Sequence, residues 1–199
     1  QVYAGSEVNA VYRHDFVELL NPTNVEIALD GWSLQFAGAM DEAWQVTPLS
    51  GTIPPNSYYL IAQGGRDLPG SALPDPDPAG IILVSVNQGK LALVRSTTPL
   101  SSLCPKDRDI VDFFSYGAVQ CSEGGAPVPV IAPSSALVRR EGGCQDTNDN
   151  STDFYAGPES AAEALATQQA RIAQSNHDPF ETVNLGHIYI ELKQDEAAR

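Results

Sequence analysis

Short apolar runs, broken at intervals of roughly eight to twelve residues by turn-forming residues, constrain the fold of this chain more than any other feature. The run Phe16–Leu20 ends at an Asn-Pro turn, the run Val25–Leu29 ends at Asp-Gly, and the next run begins at Trp32. Strands of this length, separated by tight turns, typically build antiparallel sheets. The pattern therefore predicts a mainly β chain whose sheets form an antiparallel β-sandwich.

The apolar runs before Pro158 are predicted to be strands, because Pro or Gly clusters separate most of them. They are Asp15–Leu20, Val25–Leu29, Trp32–Phe36, Tyr58–Ala62, Ile81–Val86, Leu91–Arg95, Asp109–Phe114 and Ala136–Arg139. Two stretches rich in Pro or Gly, Leu68–Gly80 and Gly124–Pro133, are predicted to be surface loops.

After Pro158 the pattern changes from strands to helices. The stretch Glu159–Gln174 is rich in Ala and Gln and lacks Gly and Pro, and Phe180–Lys193 is predicted to be a second helix. The second helix is apolar around most of its circumference, so it needs cover on two faces. We therefore divide the chain into a β-sandwich over residues 1–157 and a short α-helical segment over residues 158–199. The residues expected to contact another copy of the chain are Leu185, Ile188, Tyr189 and Leu192.

The charge balance excludes several classes of partner. The chain carries 25 acidic and 11 basic residues, a net charge of −14, so it would repel nucleic acid and anionic lipid. No apolar stretch is long enough to cross a bilayer. The chain begins with Gln1, as a processed secretory product does and as a trimmed chain also would. Together with three cysteines and few lysines, this favours an extracellular or cell-surface location.

Several motifs, taken in order, resemble the bacterial type of lamin-tail-like domain, which is an immunoglobulin-like β-sandwich. They are Phe16–Thr23 with Leu29–Leu34, Gly51–Ile61, Gly89–Val94, Val111–Gly117, and Gly142–Asn150 with Asp153-Phe154. Within the helical segment, Leu185, Gly186, Tyr189 and Ala198 lie at the spacing of a partial tetratricopeptide repeat. The first resemblance implies an immunoglobulin-like sandwich over residues 1–157. It does not by itself specify a chemistry.

The three cysteines allow more than one pairing. A disulfide between Cys104 and Cys121 would close a loop of seventeen residues around the run Asp109–Phe114. Cys144 would then be a free thiol or form an interchain bond. The alternative pairs Cys121 with Cys144 and leaves Cys104 over. We expect the first pairing, because oxidised secreted sandwiches rarely leave two nearby thiols unpaired.

One loop contains a cluster of oxygen-bearing side chains. Asp146, Asn148, Asn150 and Asp153 lie at spacings that could face one calcium ion. However, Ser151 occupies the position where calcium loops carry glycine, and no glutamate closes the loop. The alternative is an Asx-rich turn that leads into the last strand. Apart from calcium, no cofactor is predicted.

No motif for catalysis is found. The three histidines, His14, His177 and His187, have no nucleophile or metal-ligand partner at a characteristic spacing, and no phosphate-binding Gly-rich loop occurs. Trp44 follows an acidic turn and is expected to be the exposed tryptophan, whereas Trp32 is expected in the core. A sugar-binding role would depend on that exposure.

The sequence thus predicts a non-catalytic extracellular structural or adhesive protein, a subunit of a surface assembly or filament built by contacts between copies. The alternative is an accessory binding module of a secreted nuclease or phosphoesterase, because lamin-tail-like domains often accompany such enzymes. The expected partner is protein, in the first place further copies of the chain. No nucleic acid and no membrane span are expected.

Overall fold

The computed structural model describes residues 1–5, 10–65, 70–131 and 135–157, and in this part the chain is a mainly β protein with antiparallel sheets. The strands are β1 (Val2–Tyr3), β2 (His14–Asn21), β3 (Ile27–Ala28), β4 (Ser33–Ala37), β5 (Gln45–Pro48), β6 (Thr52–Ile53), β7 (Ser57–Gly65), β8 (Gly89–Val94), β9 (Ile110–Tyr116), β10 (Leu137–Arg139) and β11 (Phe154–Ala156). A 3₁₀ turn (Glu141–Gly143) and one short helix, α1 (Asn150–Asp153), precede the last strand. The predicted β-sandwich is therefore confirmed.

Two sheets form the sandwich. The first has the strand order β11-β10-β1-β2-β7, the second has the order β5-β4-β8-β9, and β3 pairs with β6 as a small ribbon. The longest pairing joins β2 to β7, in register from Phe16 with Ala62 to Asn21 with Ser57. Neighbouring strands in both sheets are antiparallel, as expected for chain segments joined by tight turns.

The core lies between the two sheets and follows the two-residue alternation of strands. On β4 and β8, Leu34, Phe36, Leu91 and Leu93 belong to one continuous apolar cluster. The same cluster contains the facing side chains of the first sheet, such as Val17, and all five of these residues are at most 4% exposed. The strands of this sandwich carry the residues of the candidate sites.

A smaller apolar cluster lies on the other side of the second sheet, where Ala37, Trp44, Ala92, Val94 and Leu100 are buried together. Trp44 is only 5% exposed, and its indole N–H donates to the carbonyl of Ser102 at 3.2 Å. The expectation of an exposed Trp44 was wrong, because the turn before it folds this ring back over the sheet. Trp32, in contrast, is partly exposed, and the guanidinium of Arg95 lies 5.3 Å from the centre of its ring.

One predicted strand is absent from the described residues. The run Ile81–Val86 is extended, with Ile82 and Val84 buried, but it joins neither sheet as a ladder strand. Side chains accept its backbone hydrogen bonds: Oε1 of Gln63 accepts from the Ile82 N–H at 3.3 Å, and Oδ2 of Asp15 accepts from the Val84 N–H at 2.7 Å. This segment therefore lies beside β7 without extending the sheet.

In the described part of the chain, no helix is long and apolar enough to cross a bilayer. The two predicted helices and the residues Leu185, Ile188, Tyr189 and Leu192 lie outside the described residues. The resemblance of that segment to a tetratricopeptide repeat accordingly stays a prediction.

Candidate functional site

A groove of about 480 Å³ lies at the β7 edge of the first sheet. We call it the edge groove, and its walls include Arg13, His14, Gln63, Leu73, Ile81 and Leu83. The end of β7 forms its floor and the extended run after Gly80 forms one wall. That wall is held to β7 by two backbone hydrogen bonds, from Gly64 N–H to the Ile82 carbonyl at 2.7 Å and from Gly80 N–H to the Ala62 carbonyl at 2.8 Å.

Glycine permits the close approach of these two segments. A β-carbon on Gly64 would lie 2.6 Å from Cδ2 of Leu83 and 2.8 Å from the carbonyl oxygen of Ile82. Both distances are shorter than real side chains tolerate, so a larger residue at this position would push the wall away from β7. The second wall is fixed by reciprocal backbone bonds, from Arg13 N–H to the Ser71 carbonyl and from Ser71 N–H to the Val11 carbonyl.

The apolar wall of the edge groove faces solvent. Ile81 is 90% exposed and Leu83 is 49% exposed, although their neighbours Ile82 and Val84 are almost fully buried. A folded chain gains nothing by presenting a side chain as apolar as Ile81 almost entirely to water. Ile81 has the largest exposed fraction among the exposed large hydrophobic residues of the described part of the chain, so its side chain is available for contact with another molecule.

The polar side chains among the described residues of the edge groove are those of Arg13, His14 and Gln63. Arg13 is exposed, His14 is half-buried, and none of the thirteen described residues that line the groove is Asp or Glu. Gln63 is only 1% exposed, and its Oε1 accepts hydrogen bonds from Thr47 and Ile82. Its Nε2 donor has no hydrogen-bond partner among the described residues. In a chain with a net charge of −14, a groove of this composition suits an apolar partner that carries acidic or carbonyl groups.

A second polar arrangement lies at the opposite end of the same sheet, around the buried guanidinium of Arg139 on β10. Its nitrogens lie 2.6 Å from Asp112, 3.4 Å from Asp146 and 3.8 Å from Asp153, measured to carboxylate oxygens. The guanidinium also donates to the Gln145 carbonyl at 3.2 Å, and the ring of Phe154 lies 4.4 Å from the guanidinium carbon. We call these groups the Arg139 cluster. Since Asp112 lies on β9, this ion pair joins the two sheets through the core.

The closing loop is held in place by its own polar side chains. Asp149 caps the first turn of α1 and accepts from Ser151 and Thr152. The hydrogen bond from the Ser151 hydroxyl is the largest cause that lowers the pKa of Asp149. Asn150 is fully buried and bridges to β9, where its amide donates to the Phe113 carbonyl and its oxygen accepts from the Ser115 N–H.

This geometry bears on the four residues predicted to bind calcium. Asp146 and Asp153 face a guanidinium, the amide of Asn150 is bonded to β9, and Asn148 is exposed at a positive φ of 56°. Within the described residues, no group of three or more His, Cys, Asp or Glu side chains is placed to hold a metal ion. The loop is thus arranged as a polar turn around Arg139, which was the structural alternative, and the calcium hypothesis gains no support from it.

The cysteines adopt the pairing that the sequence favoured. Cys104 and Cys121 form a disulfide with their Cα atoms 5.5 Å apart, and Cys144 is exposed and lies outside this bond. The disulfide flanks a buried lysine, because Lys90 donates to the carbonyls of Asp41 and Leu103 at 2.8 and 2.9 Å. Burial lowers the pKa of Lys90. The disulfide and the two hydrogen bonds of Lys90 therefore have a structural role.

Sequence reasoning did not find the edge groove or the Arg139 cluster. The groove could have been suspected from Ile81–Val86, an apolar run that follows directly on a Pro- and Asp-rich loop. The buried role of Arg139 had no signal beyond the basic pair Arg139-Arg140. Of the histidines, His14 lines the edge groove, whereas His177 and His187 lie outside the described residues.

Comparison of the chain with models of known protein families gives no match, and comparison with curated protein sequences gives none either. The resemblance to a lamin-tail-like domain therefore stays a prediction.

Proposed function

We propose that this chain is a non-catalytic structural or adhesive protein that acts outside the cell and assembles through contacts between its own copies. The observation that carries the proposal is the edge groove with its exposed apolar wall. Ile81 and Leu83 lie side by side at the border of a sheet, in a position that another chain can reach. Covering such aliphatic surface contributes about 25 cal/mol for each Å² removed from water.

The use of the polar side chains supports a structural role. Asp15, Asp112, Arg139, Asn150 and Asp153 are all buried, and each one bonds to backbone or to another buried group within the sandwich. A catalytic carboxylate or base needs access to a substrate, whereas these groups connect strands and loops. Their arrangement is what a mechanically stable sandwich requires.

The proposed location is supported by the disulfide between Cys104 and Cys121. Structural disulfides persist in oxidising surroundings, such as the cell exterior or the bacterial periplasm. The composition agrees with this location, since the chain is acidic and poor in Lys.

The test is the mass of the native full-length protein as its concentration is raised, measured by sedimentation equilibrium with and without a reducing agent. We expect reversible association that survives reduction, because the edge groove is a non-covalent contact surface. If association disappears on reduction, an interchain disulfide through Cys144 would be its cause, and not the edge groove. A chain that stays monomeric at the highest concentration would contradict the proposal and favour the alternative of an accessory module of a secreted nuclease or phosphoesterase.

A further inference from the structure

The two edge strands of the first sheet, β11 and β7, indicate which two parts of the chain could meet when copies associate. Its strand order places β11 at one edge and β7, with the edge groove, at the other. The described part of the chain ends at Gly157, directly after β11, and residues 158–199 follow in the sequence. With about 4.8 Å between strands, β11 and the groove lie on the order of 19 Å apart across the sheet.

Residues 158–199 are chemically matched to the edge groove. They contain seven acidic and three basic residues, and they include the apolar residues Leu185, Ile188, Tyr189 and Leu192. The groove offers an apolar wall at Ile81 and Leu83 beside the exposed guanidinium of Arg13, and none of its described lining residues is acidic. Charge complementarity of this kind selects the partner, while apolar burial supplies most of the affinity.

We infer that the edge groove of one copy binds residues 180–193 of a second copy through the apolar residues of that segment. This inference rests on the proposed self-association and names the two surfaces that meet. The groove and the C-terminal segment are different parts of the chain, so the contact is head-to-tail and leaves one groove and one segment unused at the ends of every open oligomer. Such a contact propagates into a filament or closes into a ring.

The test uses three full-length variants. Ile81→Asp places a carboxylate on the groove wall at a side chain that is 90% exposed, so it leaves folding unchanged. The double variant Ile188→Asp/Leu192→Asp disables the C-terminal segment. Met40→Asp is the matched control, because Met40 is 62% exposed and does not line the groove. Thermal unfolding of each variant shows that the sandwich is intact before sedimentation velocity is compared.

We expect the groove variant and the segment variant each to associate about tenfold or more weakly than the wild-type chain, and the control to associate normally. Mixing the two defective variants is the decisive step. One contributes an intact C-terminal segment and the other an intact groove, so the mixture should form a one-to-one dimer that does not grow further.

The outcomes separate this inference from the proposed function. If the wild-type chain associates and Ile81→Asp associates equally well, the groove is not the acceptor, and self-association stands without it. If both variants are monomeric and their mixture is also monomeric, the segment does not bind a groove in another copy, and the inference fails. If the wild-type chain is itself monomeric, the proposed function fails first.

Discussion

Replacing Arg139 by Met tests whether the buried ion pair between the two sheets holds the sandwich together. The side chain of Arg139 is fully buried and lies 2.6 Å from Asp112, with Asp146 and Asp153 within 4 Å. Methionine fills much of the same volume but leaves these carboxylates without their cation. Removing one partner of a buried pair typically costs about 3–5 kcal/mol, mostly because the remaining charge is stranded in the core.

The assay is equilibrium unfolding in guanidinium chloride, followed by tryptophan fluorescence and far-UV circular dichroism. At pH 7 we expect a loss of about 3–5 kcal/mol, which corresponds to a melting temperature lower by about 6–20 °C. Arg140→Met is the matched control. Arg140 is exposed and makes one hydrogen bond through its side chain, to the Thr152 carbonyl at 3.0 Å, so its loss should cost less than about 1 kcal/mol.

The pH dependence gives this prediction a specific sign. A carboxylate buried without a counter-charge takes up a proton more readily in the folded chain than in the unfolded one. The Arg139→Met variant therefore recovers stability, relative to the wild-type chain, as the pH falls from 7 towards 4. A loss below about 1 kcal/mol at pH 7, or a difference that does not change with pH, would refute the argument that the Arg139 cluster stabilises the fold through charge.

Three further predictions follow from other contacts. Changing both Cys104 and Cys121 to Ala should lower the free energy of unfolding by about 3 kcal/mol, because the disulfide closes a loop of seventeen residues. Cys144→Ala should leave it nearly unchanged, and chemical denaturation measures both variants. Millimolar calcium should leave the melting curve superimposable on that with chelator, since Asp146 and Asp153 face Arg139; a raised melting temperature would restore the calcium hypothesis. Burial raises the pKa of Tyr3, Tyr12, Tyr59 and Tyr116, so stability present below pH 10 is lost as the pH rises above the ordinary tyrosine value. Phenolate absorbance from these rings should then appear together with unfolding, and its appearance in the folded chain would contradict this.

The strand pattern was predictable where local signals decide it. Phe16–Leu20 lies inside β2 and Trp32–Phe36 overlaps β4, because short apolar runs bounded by turn residues indicate strands without knowledge of the partner strand. Strands of only two residues, such as β1 and β6, were not predicted from the sequence. Val2 is in a strand because it pairs with Val17 on one side and Leu137 on the other, and no local pattern contains that information.

The failed predictions share one physical cause, which is that the deciding partner is distant in the sequence. Ile81–Val86 has the pattern of a strand, but side chains of Asp15 and Gln63 accept from its N–H groups, and the Gly64 N–H of β7 reaches only the Ile82 carbonyl, so no ladder forms. Trp44 follows two acidic residues, yet it packs against Phe113 and beneath the ammonium group of Lys90. The calcium hypothesis is a separate case: it stays a prediction without support from the structure, in which Asp146 and Asp153 face the nearby guanidinium of Arg139.

The two ends of the first sheet should also act independently, which can be tested by combining the variants described above. Arg139 lies on β10 and the edge groove lies beyond β7, so three strand spacings, about 14 Å, separate them. Sites this far apart without shared partners usually add in free energy to within about 0.5 kcal/mol. The double variant Arg139→Met/Ile81→Asp should therefore show the stability loss of the first change and the association defect of the second. A coupled response, in which Arg139→Met abolishes association of molecules that are still folded, would mean that the edge groove depends on the closing loop.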